Sequence, residues 1–284
     1  MIFEDLSTVN NELKRKGSII TNIHPGCVGR ETDFDLLKGE KAYVFFATER
    51  YKKKGLFAAV DDEEGRNELI KIIRDNQNDA VFDWLQKGRV DQEFEVEYEE
   101  KDSCTEKKLF EEAGLHLYKK YIRILTSYKS NPYLIPEKGR RRILQDMYEP
   151  GGELPCLDDA EELFQINRET FDAKSDDVFS VQEWKKIISE ERCLIHREDG
   201  HITTYYVWEL QGKKLYSNIA VNMIGANHLY NMERRIFEKY WEEGIRTYYA
   251  WFDVKNNNAL KRGNTEARLC INSKSVLYNY IYTF

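Results

Sequence analysis

No stretch of the 284-residue sequence approaches the roughly 18 uninterrupted apolar residues that a membrane-crossing helix needs, so no membrane partner is expected. Positive charge is not in excess either: 43 Lys and Arg face 50 Asp and Glu, for a net charge of −7. That balance argues against nucleic acid held by the whole surface, while leaving room for a local basic patch. Cysteine is scarce and scattered, at positions 27, 104, 156, 193 and 270, and never forms a Cys-x-x-Cys pair of metal or redox spacing. Reduced thiols and no metal follow as expectations. The opening Met1-Ile2-Phe3-Glu4-Asp5 lacks the basic and then apolar run of a secretory signal, which predicts a cytoplasmic location.

What is present is a globular composition, 41% apolar, with 33% charged residues against the usual quarter or so. At roughly 150 residues per domain, the length suits two domains. Chain breakers gather between them, where Pro132, Pro136, Gly139, Pro150, Gly151 and Gly152 surround the basic run Arg140-Arg141-Arg142. The predicted division is a domain at 1–130, a linker at 131–155 and a domain at 156–284. The basic run reads either as solvated linker charge or as a landing site for a phosphate, a carrier protein or RNA.

After the linker, Asp158 or Asp159 can cap a helix carrying Ala160, Leu163, Phe164 and Phe171 at helical spacing. Ser180-Val181-Gln182-Glu183 is a capping box ahead of the apolar Trp184, Ile187 and Ile188. The period then changes to that of strands at 193–196, 202–208 and 215–221, with turns at Asp199-Gly200 and Gln211-Gly212. A long amphipathic helix follows, with Leu229, Met232, Ile236, Phe237, Tyr240 and Trp241 on one face, Asn227 as N-cap and Gly244 as stop. A strand at 247–252, a helical stretch at 257–261 and a strand at 276–284 complete the pattern. The first half repeats its later part: strands at 42–47 and 56–60, a helix around 69–73, a strand at 80–84, a helix at 107–113 and a strand at 115–125. The predicted fold class is therefore α/β (α+β), duplicated, each half a mixed, mainly antiparallel sheet flanked by helices.

Three segments of the second half resemble the GNAT superfamily of N-acyltransferases. Leu163-Phe164-Gln165-Ile166-Asn167 with Phe179-Ser180-Val181-Gln182-Glu183-Trp184 resembles the paired opening helices on the acceptor side of that family's cleft. Leu215-Tyr216-Ser217-Asn218-Ile219-Ala220-Val221 is similar to the fourth strand, which leads into the cofactor helix. Tyr248-Tyr249-Ala250-Trp251-Phe252-Asp253 with Asn256-Asn257-Asn258-Ala259 resembles the fifth strand and the N-x-x-A start of the next helix. The resemblance covers about 157–284 and makes the duplicated chain a tandem GNAT-like protein. It implies acetyl-CoA or another acyl-CoA as donor, a primary amine of a small molecule or peptide as acceptor, and no metal.

The resemblance also assigns roles. Two splayed strands would leave backbone N–H groups for the pantetheine arm and thioester carbonyl, which implies main-chain contacts at Ile219 and Val221. A helix start binds anions through unpaired N–H groups and the helix dipole, so Gly225, Asn227, His228 and Asn231 become the pyrophosphate candidates. Asn256 would face the pantetheine arm, cap its helix, or both. Ser217 and Asn218 stand where the family places a water-positioning polar residue, and Tyr248 is placed to flank the thioester or protonate the leaving thiolate. Their plainer reading is strand alternation and core packing.

Some positions depart from the family's pattern. Ala226, Leu229 and Asn231 replace its basic or glutamine residue and its glycines, and Gly263 lies where its tyrosine acid would. Arg234 and Arg235 are either phosphate contacts or a solvated helix face, and His24-Pro25-Gly26-Cys27 reads as a turn. In the first half, Asp61-Asp62-Glu63-Glu64 stands at the phosphate-loop position and would repel a pyrophosphate, so 1–130 is read as a degenerate partner. The expected function is acyl transfer from acyl-CoA. The alternatives are a Fem-type aminoacyl-tRNA-dependent transferase, which also pairs two GNAT-like domains, and a non-catalytic binding protein. The oligomeric state is left open.

Overall fold

The structure, a computed structural model, describes residues 2–23, 34–89, 105–128, 131, 150–225, 227–256, 258–259 and 275–284. The basic run at 140–142, the 24–27 turn, Cys104, Ala226, Asn257, Gly263 and Cys270 lie outside the described residues. The first half contains α1 (Ile2–Lys14), β1 (Ile19–Thr21), β2 (Phe34–Lys38), β3 (Ala42–Glu49), β4 (Lys52–Val60), α2 (Glu63–Asp75), β5 (Phe82–Arg89), α3 (Thr105–Glu112) and β6 (His116–Ser127). A short turn at Leu157–Asp159 then opens α4 (Ala160–Thr170), α5 (Val181–Ser189), β7 (Cys193–Glu198), β8 (His201–Gln211), β9 (Lys214–Asn222), α6 (His228–Glu242), β10 (Thr247–Asp253) and β11 (Ser275–Thr283).

Local chemistry accounts for the helix limits. Ser180 accepts from the Glu183 amide at 3.3 Å and the Glu183 carboxylate accepts from the Ser180 amide at 2.8 Å, the reciprocal pair that starts α5. The end of α6 is closed by Gly244, at φ +86°, with Gly244 N–H bonding Trp241 O and Ile245 N–H bonding Tyr240 O. These two bonds satisfy carbonyls that the last helical turn would leave unpaired.

Among the described residues the strands form two sheets flanked by helices. One is antiparallel in the order β1-β4-β3-β2, and a parallel bridge from Lys54 of β4 to Val81, just ahead of β5, extends it. The other has seven strands in the order β5-β11-β6-β10-β9-β8-β7 and is mixed, because β9 and β10 run parallel. Strand β6 comes from the first half yet pairs antiparallel with both β10 and β11, so it completes the sheet of the second. Arg50, in the β3–β4 turn, adds a second tie by donating to Asp177 at 2.8 Å and Glu183 at 2.7 Å with its guanidinium 4.6 Å from the Phe179 ring centre.

The β7–β9 end of the large sheet is covered on both faces. Leu163, Trp184 and Ile187 of α4 and α5 pack on Ile195, Tyr205, Ile219 and Val221, while Met232, Ile236 and Tyr240 of α6 pack on Leu194, Tyr206 and Trp208. Trp184 is fully buried and meets Tyr205 edge-on at 5.5 Å, so Trp184→Ala would cost about 3–5 kcal/mol. A further core joins α2 and α3 to both sheets through Phe57, Phe82, Phe110 and Tyr282.

Candidate functional site

Strands β9 and β10 start as a parallel pair, from Thr247↔Lys214 to Ala250↔Ser217, and then part. The cause lies in their other neighbours. β10 keeps full antiparallel register with β6, from Thr247↔Ser127 to Asp253↔Tyr121, and so follows β6 away from β9. β9 stays with β8, but Ser217 opposes Trp208 and Ile219 opposes Val207, which leaves Asn218 as the extra residue of a bulge. Beyond Ser217 the outer edge of β9 has no strand partner among the described residues, and a cavity of about 680 Å³ opens there. That volume lies within the range of small-molecule sites.

Of the residues singled out from the sequence, Ser217, Asn218, Ile219, Val221, Tyr248 and Asn256 line this cavity, whereas Gly225, Asn227, His228 and Asn231 do not. The side chains of Ile219 and Val221 are buried against α4 and α5, so only their backbone is available to a ligand. Asn256 both lines the cavity and accepts from the Ala259 amide at 3.1 Å. Among the described residues, the Asn218 side-chain oxygen and the Tyr248 hydroxyl are buried without a hydrogen-bond partner. Asn279 of β11, also on the cavity wall, has the same unpaired side-chain oxygen. Leaving such an atom unpaired costs about 1–3 kcal/mol, so these are the points where a polar ligand group gains most.

Tyr248 forms the floor. Its ring stacks on Phe237 at 4.4 Å and meets Tyr128 edge-on at 5.4 Å. Burial pushes its phenol well above the ordinary tyrosine range, so it stays protonated: a good hydrogen-bond donor and a reluctant proton source.

The opposite wall was not legible from the sequence. Lys119 and Tyr121 reach it from β6 and, with Tyr118 beside them, fasten the loop after α4: Tyr118 donates to Asp172 at 2.6 Å, Lys119 to Asp176 at 3.0 Å, and Tyr121 also donates to Asp176. Burial of Asp172 opposes its ionisation, but hydrogen bonds from Tyr118, the Lys174 amide and Ser175 outweigh that and hold the carboxyl below the ordinary aspartate range. No periodicity or motif signals a contact between residues more than fifty apart in the chain.

The start of α6 has a mixed character. Asn227 makes no side-chain capping bond to the helix start, where an anion site would draw on backbone amides. In the preceding loop, however, the Asn222 side chain accepts from the amides of Ile224 and Gly225, both at 3.2 Å. Leu229 is buried and Asn231 lies inside the helix, so neither belongs to the loop. Arg234 is buried and paired with Glu238 at 2.9 Å, and Arg235 donates to the Gly152 carbonyl. His228 stacks on His196 of β7 with ring centres 3.5 Å apart.

In the first half, the space beside β4 is filled. β4 meets Val81 in parallel at Lys54, and at its other end β1 pairs with it from Ile19↔Val60 to Thr21↔Ala58. Between these contacts the Asn22 side chain bonds β4 like a strand, donating to Gly55 O at 2.9 Å and accepting from Phe57 N–H at 2.7 Å. The start of α2 is occupied too: Asp62 accepts from the Gly65 amide at 2.7 Å, and Lys41 pairs with Asp62 and Glu64. Gly65 permits this closeness, because a Cβ there would lie 2.3 Å from Val60 O.

The sequence matches no family model and no curated protein. Solved structures similar to this chain include GNAT-family acetyltransferases. The GCN5-related N-acetyltransferase from Sphaerobacter thermophilus is 14% identical over 85% of this chain and 76% of its own, at a TM-score of 0.48. A GNAT-family acetyltransferase from Colwellia psychrerythraea is 7% identical over 85% of both chains, at 0.42. L-PGS from Bacillus licheniformis is 12% identical over 89% of this chain and 83% of its own, at 0.41. Likenesses this loose assign no activity. Among the described residues no helix is long and apolar enough to cross a membrane.

Proposed function

We propose that the chain is a GNAT-type N-acyltransferase that takes acyl-CoA into the gap between β9 and β10 and passes the acyl group to a primary amine of a small molecule or peptide. The observation that carries this reading is the parting of two parallel strands at the Asn218 bulge, beside a helix start that no side chain caps. Coenzyme A would supply the activated thioester; the chain supplies position and polarity. The open edge of β9 from Asn218 to Val221 offers backbone N–H groups to the pantetheine arm and to the carbonyl oxygen as it gains charge. Tyr248 donates a hydrogen bond at the floor. Ser217 and Asn218 hold a water that relays the ammonium proton out of the cavity to solvent. Asp253 on the cavity wall favours a cationic acceptor, while Asp176 and Asp177 there are already paired with Lys119 and with Arg50 and Lys52. Residues 1–130 act as the degenerate partner, and the free thiols Cys156 and Cys193 suit a cytoplasmic setting.

One observation favours a second reading, in which the donor is bound without turnover: Asn222 already holds two of the loop amides that a pyrophosphate would use. Thermal unfolding with acetyl-CoA tests the common part, since a ligand at a hundred times its Kd stabilises by about 2.7 kcal/mol. Ala220→Trp, which projects from β9 at the cavity, should abolish the shift. No shift in the parent protein rejects both readings and leaves a carrier-bound or tRNA-bound donor. Release of free thiol in the presence of amines separates transfer from binding.

A further inference from the structure

We propose that His196, Glu198 and His228 form a site for a divalent transition-metal ion, beside the start of α6 and outside the lining of the β9–β10 cavity. Strand alternation places His196 and Glu198 on the same face of β7, the edge strand of the seven-stranded sheet. That face is covered by α6, whose first residue is His228. One ligand atom from each of the three side chains lies within 4.8 Å of the others. Two imidazoles and one carboxylate are a donor set suited to Zn²⁺, Co²⁺, Ni²⁺ or Cu²⁺; Ca²⁺ and Mg²⁺ prefer oxygen alone.

The rings lie nearly parallel, 11° apart and 3.5 Å between centres, so their lone pairs run side by side. Capture of an ion needs one ring to turn until both nitrogens converge. With metal–ligand bonds of about 2.0–2.1 Å in a tetrahedral site, donor atoms sit roughly 3.3 Å apart, so the closing movement is small. His228 is only half-buried and Glu198 is exposed, which leaves both free to make it and leaves water to complete the coordination. The carboxylate is required, because the positive end of the α6 dipole opposes a cation beside His228. Bound there, the ion would clamp the edge strand to the helix start. His201, opposite Glu198 in the hairpin but exposed and 3.6 Å from Glu162, is not part of the cluster and serves as a control.

Titration of the full-length protein with ZnCl₂ in a non-chelating buffer tests the site. One equivalent should bind, with affinity at least tenfold weaker in His196→Ala and in His228→Ala, several-fold weaker in Glu198→Gln, and unchanged in His201→Ala. Because both alanine variants alter side chains at the surface of a strand and a helix start, circular dichroism should show them folded. The Co²⁺-loaded parent should show nitrogen and oxygen ligation without the intense charge-transfer absorption of a thiolate. Binding that survives in the His196→Ala/His228→Ala double variant, a thiolate band, or no binding by the parent overturns the proposal.

Discussion

Two strand–helix corners of the chain, β4–α2 and β9–α6, treat the space beside the strand in opposite ways. At β4 the space beside the strand is occupied by β1 and the Asn22 side chain, and the following helix is capped by its own Asp62. At β9 the space is open, the strand is bulged at Asn218, and Asn227 leaves α6 without a side-chain cap. Backbone donors at a parted strand edge and at a helix start have to be satisfied by something. The first half satisfies them internally and gains stability. The second leaves them for a ligand and carries unpaired polar atoms at Asn218, Tyr248 and Asn279.

The contrast depends on β6, which draws β10 away from β9 while it fills the sheet between β10 and β11. The largest expected effect is therefore from removing the first half: residues 156–284 alone should show no cooperative thermal transition by circular dichroism, because two long strand edges lose their partner. A native-like melt would mean that the parting of β9 and β10 does not need β6.

Asn22→Ala strikes the filled gap. It leaves Gly55 O and Phe57 N–H buried without the bonds they now have, at about 1–3 kcal/mol for each group, and urea unfolding should report the loss. Calorimetry should still find a single donor equivalent, since Asp62 keeps the start of α2 occupied. A second equivalent would show that the plug alone separates the halves.

Asn222→Ala strikes the open gap in the other direction. It frees the amides of Ile224 and Gly225, and donor affinity should rise by up to about tenfold, or 1.4 kcal/mol. The smallest effect concerns pH. Asp172 has its pKa held below the unfolded value of about 3.9, so its contribution is complete above that value and fades as pH falls through the lower folded one. Asp172→Asn should lower Tm at pH 7, and its difference from the parent should shrink as pH falls below about 3.9.

Much of this fold was legible in the sequence because its elements are strongly patterned. The Ser180–Glu183 box, the apolar face of α6 and the hairpins of β7 to β9 lie within a residue or two of their expected places. Strand order is a different matter. Periodicity says that 115–125 is a strand, and nothing in it says that the strand crosses to the other half. β1 has three residues, too few for any period, and it is the element that closes the first gap. The site divides along the same line. The β9 and β10 residues that the resemblance singled out line the cavity, because that resemblance rests on local segments, while the wall at Lys119 and Tyr121 depends on a long-range pairing. Counting across the 222–227 loop reached Leu229 and Asn231, which the helix had already taken up.

The most direct measurement is a crystal structure of the full chain grown with coenzyme A. The account expects one molecule, its pantetheine arm along Asn218–Val221 between β9 and β10 and its pyrophosphate at the start of α6. A molecule seated beside Val60 at the start of α2, or one that leaves the β9–β10 gap empty, would contradict it.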